Sequence, residues 1–166
     1  MTRPLSSLIA KRPPAKPTAL KLLREHGFRD PANAYAALHR LAADDLQRAS
    51  LAKVLPHLGR ACAGSADPDR ALLSFERLVA ALPNASMFYH YLHEAPDRLD
   101  LLVRVFAHSQ ALADTLARNA TYFHFLIAPE TLKAPREKSW LTAELSRLLL
   151  PTRLPDQKYD VVRRFR

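Results

Sequence analysis

Proline placement constrains this chain more than any other feature. Thirteen prolines stand against three glycines in 166 residues, and most of the prolines fall between runs of apolar residues at helical spacing. Proline fixes φ and has no N–H, so it suits the first turn of a helix and disrupts the interior. So few glycines leave little supply for the tight turns of a sheet protein. The expected fold is all-α, an irregular array of about eight short helices.

The stretch from Asp67 to Pro129 shows the pattern best. Asp67-Pro68 opens a helix carrying Ala71, Phe75, Leu78 and Leu82 at spacings of four, three and four, one face of an amphipathic helix. Asn84 is the expected cap of a helix with Met87, Phe88, Tyr91 and Leu92. Pro96 begins another with Leu99, Leu102, Val103 and Phe106, and Ser109 caps one with Leu112, Ala113 and Leu116. Residues 119–127 supply an aromatic helix with Tyr122, Phe123 and Phe125, expected as core rather than as a ligand surface.

Upstream, residues 1–17 contain lysine, arginine and serine but no acid, as a transit peptide would. Pro13, Pro14 and Pro17 would interrupt its helix, so a disordered basic arm is expected. Residues 18–150 are expected as the helical domain. Thr18 is the predicted cap of a short helix with Leu20, Leu22 and Leu23 that stops at Gly27, which suits the left-handed position after a helix. Asp30-Pro31 starts the next, with Ala34, Leu38 and Leu41, ending near Asp44 or running on toward Gln47. Ser50 is the predicted cap of a segment with Leu51, Val54, Leu55 and Leu58, in which Pro56 implies a later start or a kink. Downstream, Ser139 is the predicted cap of a helix striped by Leu141, Leu145, Leu148 and Leu149. Residues 151–166 read as the start of a connecting helix, with Tyr159, Val162 and Phe165 at intervals of three and no cap before Arg166.

Lysine and arginine number 25 against 16 aspartates and glutamates, a net charge of +9 with histidine neutral. The excess is dispersed, with concentrations at Lys11, Arg12, Lys16, Lys21 and Arg24 and at Arg163, Arg164 and Arg166. No recognition motif accompanies it, which argues against nucleic acid and for a solvated basic surface. The lone Cys62 has no disulfide or zinc partner and suits a reducing cytosol as a buried filler. No apolar run approaches the roughly 20 residues needed to cross a bilayer, so no membrane partner is expected.

Two constellations resemble chemistry. Asp67 and Asp69 follow Gly64-Ser65, as metal-binding carboxylates follow a Gly-Ser turn in nucleotidyltransferases. Carboxylates two apart share a side only on a strand; Pro68 and helical flanks make Asp67 a cap instead. His90, His93 and Glu94 lie along one helix edge but lack further ligands and the zinc-protease pattern. The histidines at 26, 39, 57, 108 and 124 are scattered, and no phosphate-binding glycine loop is present. No catalytic, cofactor-binding or metal residue is assigned.

In order and spacing, several segments resemble the N-terminal helical region of glutamine synthetase adenylyltransferase/adenylyl-removing enzymes. They are Gly27-Phe28-Arg29-Asp30-Pro31, Leu55-Pro56, Ser65 through Leu72, Phe75-Glu76-Arg77-Leu78, and Leu102 through Ser109 followed by Leu112-Ala113-Asp114. Residues 159–166 resemble the helix that leads, in that family, into the first nucleotidyltransferase domain. Phe88-Tyr89-His90 and Ala107-His108 depart from the family pattern and imply a divergent member. The resemblance implies a parent activity: ATP-dependent transfer of AMP to a tyrosine of glutamine synthetase and its phosphorolytic removal, with magnesium, in the cytoplasm, under a PII signalling protein. The acidic motifs of that activity lie beyond the matched region, so this chain alone is expected to be an inactive fragment. Tyr159, Val162, Arg163, Arg164 and Phe165 are the expected interface with the missing domain. The alternative is a standalone helical binding module whose basic termini meet an acidic partner.

Overall fold

A computed structural model describes residues 4–120 together with Phe123, Ser139, Thr142, Ala143 and Ser146. The chain divides into two units, Met1–Phe123 and His124–Arg166. In the second, the described residues are helical, with Ser146 Oγ donating to the Thr142 carbonyl at 2.8 Å. The expected leucine stripe and the residues 159–166 lie outside the described residues.

The first unit is all-α. A 3-10 helix η1 (Leu5–Ile9) precedes α1 (Lys16–Glu25), α2 (Pro31–Leu41), α3 (Asp45–Ala63), α4 (Pro68–Ala80), α5 (Ala85–Glu94), α6 (Pro96–His108) and α7 (Gln110–Arg118). Five of these helices begin with the same device, a side-chain oxygen accepting the amide three residues on and so satisfying one of the four orphan N–H groups of a first turn. Asp30 accepts from Asn33, Asp44 from Gln47, Asp67 from Arg70, Asn84 from Met87 and Ser109 from Leu112. The two α-helices without a side-chain cap, α1 and α6, both carry proline in the first turn, where a missing N–H costs nothing. Gly27, after α1, has φ of 86°, the left-handed geometry expected of it.

Helix α3 lies at the centre, against α5, α6 and η1, while α4 packs on α2, α6 and α7. Its 19 residues run unbroken through Pro56, which corrects the expected start at Ser50. Asp44 is the cap, and Gln47 three residues later completes a capping-box spacing. The proline removes a backbone bond at a cost of about 3 kcal/mol. Its ring is exposed, however, while Leu51, Val54, Leu55, Leu58 and Cys62 are buried on the opposite side. Burial at roughly 1.5–3 kcal/mol per large apolar side chain outweighs the lost bond.

Residues 5–9 also differ from expectation. The disordered arm predicted over 1–17 gives way there to η1, with Leu5, Leu8 and Ile9 almost wholly buried. Leu5 reaches α3 at Gly59, its Cδ1 occupying the space that a Cβ on Gly59 would need. Glycine inside a helix sacrifices roughly 0.5–1 kcal/mol relative to alanine, and this contact accounts for it. Helix α1 correspondingly starts at Lys16, before the expected cap Thr18.

An aromatic cluster joins α4 to α5. Phe75 lies 5.8 Å from Phe88 and 6.4 Å from Tyr89, and Phe88 meets Phe123 edge-on at 4.8 Å, all within the range of attractive ring pairs. The expected core position Met87 is 71% exposed, and Tyr89 is buried in its place. Tyr89 can go inside because its hydroxyl donates to the Leu41 carbonyl at the end of α2, at 2.8 Å. Burial pushes that phenol well above its ordinary pKa, with the Asp44 carboxylate adding to the rise.

Candidate interaction surface

The Asp67/Asp69 pair is spent on architecture. Asp67 Oδ1 accepts the Arg70 amide at 3.0 Å, and its Oδ2 meets Arg70 Nη2 at 3.1 Å. Asp69 turns toward α2, where Oδ2 accepts the Arg29 amide at 2.8 Å and Oδ1 the Asp30 amide at 3.1 Å. All four oxygens thus have protein donors, and Asp69 fastens the start of α4 to the start of α2. Two turns on, Glu76 holds Arg40 at the far end of α2 through two bonds of 2.6 and 2.9 Å; that hydrogen bonding raises the guanidinium pKa further. The acidic seam of α4 therefore sets α2 parallel to it.

The other candidate residues likewise form no metal site. His90, His93 and Glu94 are exposed on α5, and among the described residues no three His, Cys, Asp or Glu side chains gather to hold a metal ion. Cys62 is wholly buried, and burial pushes its thiol up to about 12, with Asp69 adding to the rise; it is a filler, not a nucleophile. Phe123 is buried against Phe88 and Tyr91, as core. Tyr122 and Phe125 lie outside the described residues, as do the expected interface residues Tyr159, Val162, Arg163, Arg164 and Phe165.

Sequence reading missed a basic surface assembled from three helices. Lys53, His57 and Arg60 recur at intervals of four and three along α3 and so share one face. A cleft of about 240 Å³ separates them from Leu92 and His93 of α5 and Pro96 of α6, with Val54 and Pro56 also in its walls. Arg60 also lines a second cleft, of about 300 Å³, with Ala61, Gly64, Ser65, Asp100 and Arg104. Between the clefts, His57 Nε2 lies 2.9 Å from Asp100 Oδ1, and Arg60 Nη2 lies 3.5 Å from His57 Nδ1. Arginine can only donate, so Nδ1 accepts and Nε2 carries the proton given to Asp100. The one carboxylate in these walls is thereby paired. Among the described residues no partner is found for Lys53 or Arg104, so their charge faces the open clefts. The spacing of Lys53, His57 and Arg60 is the available signal, but Pro56 implies a later start or a kink in the helix that bears it.

Among the described residues no helix is long and apolar enough to cross a membrane. No family model matches the chain, and no solved structure matches it. Curated relatives do. The bifunctional glutamine synthetase adenylyltransferase/adenylyl-removing enzyme of Xanthobacter autotrophicus is 31% identical over 154 residues, covering 89% of this chain and 16% of that protein. The enzyme of the same description from Thioalkalivibrio sulfidiphilus is 32% identical over 158 residues, with the same two shares of 89% and 16%. That of Streptomyces coelicolor is 39% identical over 118 residues, covering 68% of this chain and 11% of the relative. The family that the motif order resembles is the family these matches return. Over 89% of its length this chain is a relative of the bifunctional glutamine synthetase adenylyltransferase/adenylyl-removing enzymes, and it spans 16% of the length of those it matches in that way.

Proposed function

We propose that this chain is a non-catalytic helical part of a glutamine synthetase adenylyltransferase/adenylyl-removing protein, one that packs against or positions a nucleotidyltransferase domain. The observation that carries the reading is the engagement of all four Asp67 and Asp69 oxygens by protein donors. The carboxylates that most resemble a nucleotidyl-transfer site are therefore occupied in holding α4 to α2. ATP, magnesium, glutamine synthetase and a PII protein belong, on this reading, to the larger assembly. Its compartment is the cytosol, which the single buried thiol suits.

Mass spectrometry of glutamine synthetase tests the proposal. Incubation of the purified chain with glutamine synthetase, ATP and magnesium is expected to add no AMP, and incubation of the adenylylated enzyme with phosphate is expected to remove none. AMP transfer or removal that disappears in the Asp67→Asn/Asp69→Asn variant would refute it.

A further inference from the structure

The α3 face of Lys53, His57 and Arg60 is not accounted for by a packing role, because its cations point into open clefts. We propose that this face, with Arg104 of α6, is a docking site for an acidic peptide segment of a protein partner, carrying two carboxylates about three residues apart with an apolar side chain between them. The inference does not depend on the function proposed above.

Spacing and charge single out that occupant. Lys53 and Arg60 are seven residues apart on α3, about 10 Å at a rise of 1.5 Å per residue. A peptide in the polyproline II conformation advances about 3.1 Å per residue with three residues per turn, so carboxylates three residues apart lie on one side about 9 Å apart and can meet both cations. Beside His57 and His93, the walls of the first cleft carry the apolar side chains of Val54, Pro56, Leu92 and Pro96. They suit an aliphatic side chain rather than more charge. A single phosphate would engage one cation and leave that floor wet. Asp100 lines only the second cleft and accepts the His57 Nε2–H at 2.9 Å. Glu94 and Asp97 stand at the α5–α6 turn but line neither cleft.

The test is fluorescence anisotropy with a short labelled peptide bearing glutamates three residues apart around a leucine, titrated with the whole chain at low and moderate salt. Saturable binding is expected, weakening with salt as screening shortens the reach of the charges. Lys53→Glu and Arg60→Glu should each weaken it roughly tenfold or more, as charge reversal across a complementary interface does. Both side chains are exposed, and circular dichroism checks that the variants remain folded. Lys11→Glu and Lys16→Glu, at another basic concentration, should leave binding within about twofold. Equal weakening by the Lys11 and Lys16 variants would overturn the proposal in favour of diffuse charge. Equal binding of a peptide with the same composition but adjacent glutamates would overturn the spacing argument. Competition by inorganic phosphate or duplex DNA at the peptide's own affinity would reassign the face to small anions or nucleic acid, and the absence of saturable binding would remove it.

Discussion

Replacing Asp69 separates an architectural carboxylate from a catalytic one by the sign of the stability change. In the folded chain its two oxygens accept the Arg29 and Asp30 amides at 2.8 and 3.1 Å, and it sits in the first turn of α4, where a negative charge is favoured. A hydrogen bond to a charged group contributes about 1.5–3 kcal/mol, and a carboxylate at a helix N-terminus about 0.3–1 kcal/mol. Both amide contacts are solvent-accessible, which places the expected sum near the lower end. Asp69→Ala should therefore cost about 3 kcal/mol, and Asp69→Asn, whose amide keeps one acceptor, about 1.5 kcal/mol. The assay is urea unfolding followed by far-ultraviolet circular dichroism, with an unchanged denaturant slope showing that only stability has moved. Were Asp67 and Asp69 instead a pair of metal ligands, removing one would relieve like-charge repulsion and stabilise the metal-free chain. A neutral or stabilising Asp69→Ala would refute the clamp.

Tyr89→Phe keeps the ring among Phe75 and Phe88 but leaves the buried Leu41 carbonyl without its donor, so denaturation should show a loss of about 1–2 kcal/mol. Gly59→Ala gains roughly 1 kcal/mol of helix propensity yet fills the space held by Leu5; hydrogen exchange should show faster exchange across Leu5–Ile9 with α3 itself unchanged. Cys62, with its thiol pushed up to about 12 by burial, should resist iodoacetamide in the folded chain and react once urea unfolds it. The same shift makes the unfolded chain release a proton near pH 9 that the folded chain retains, so this group should lower stability as pH rises from about 9 to 12 and contribute nothing below. Replacing Cys62 with alanine should flatten that limb of a pH–stability curve.

Local chemistry made most of the helix starts legible. The pairs Asp30-Pro31 and Asp67-Pro68, together with Asn84, Pro96 and Ser109, mark starts that the structure bears out because a cap depends on residues only three apart. What escaped depends on distant partners. Pro56 breaks a helix on local grounds, and only the buried face of α3 shows why it does not. Leu5, Leu8 and Ile9 sit in a basic, proline-containing stretch, and nothing local reveals that Gly59 leaves room for Leu5. Tyr89 displaces Met87 from the core because a carbonyl 48 residues earlier accepts its hydroxyl. The clefts along α3 were hidden for the same reason, since their walls come from three helices. The candidate carboxylates were the reverse case: cap geometry alone assigned Asp67, while the role of Asp69 needed α2 in place.

Whether Asp67 and Asp69 hold the fold or hold a metal is tested most directly by titrating the isotopically labelled chain with Mn²⁺ and following backbone amide signals across residues 64–70. Paramagnetic broadening should be weak, unsaturated and no greater there than at other exposed carboxylates. Saturable broadening centred on Asp67 and Asp69, abolished in the Asp67→Asn/Asp69→Asn variant, would contradict the architectural reading.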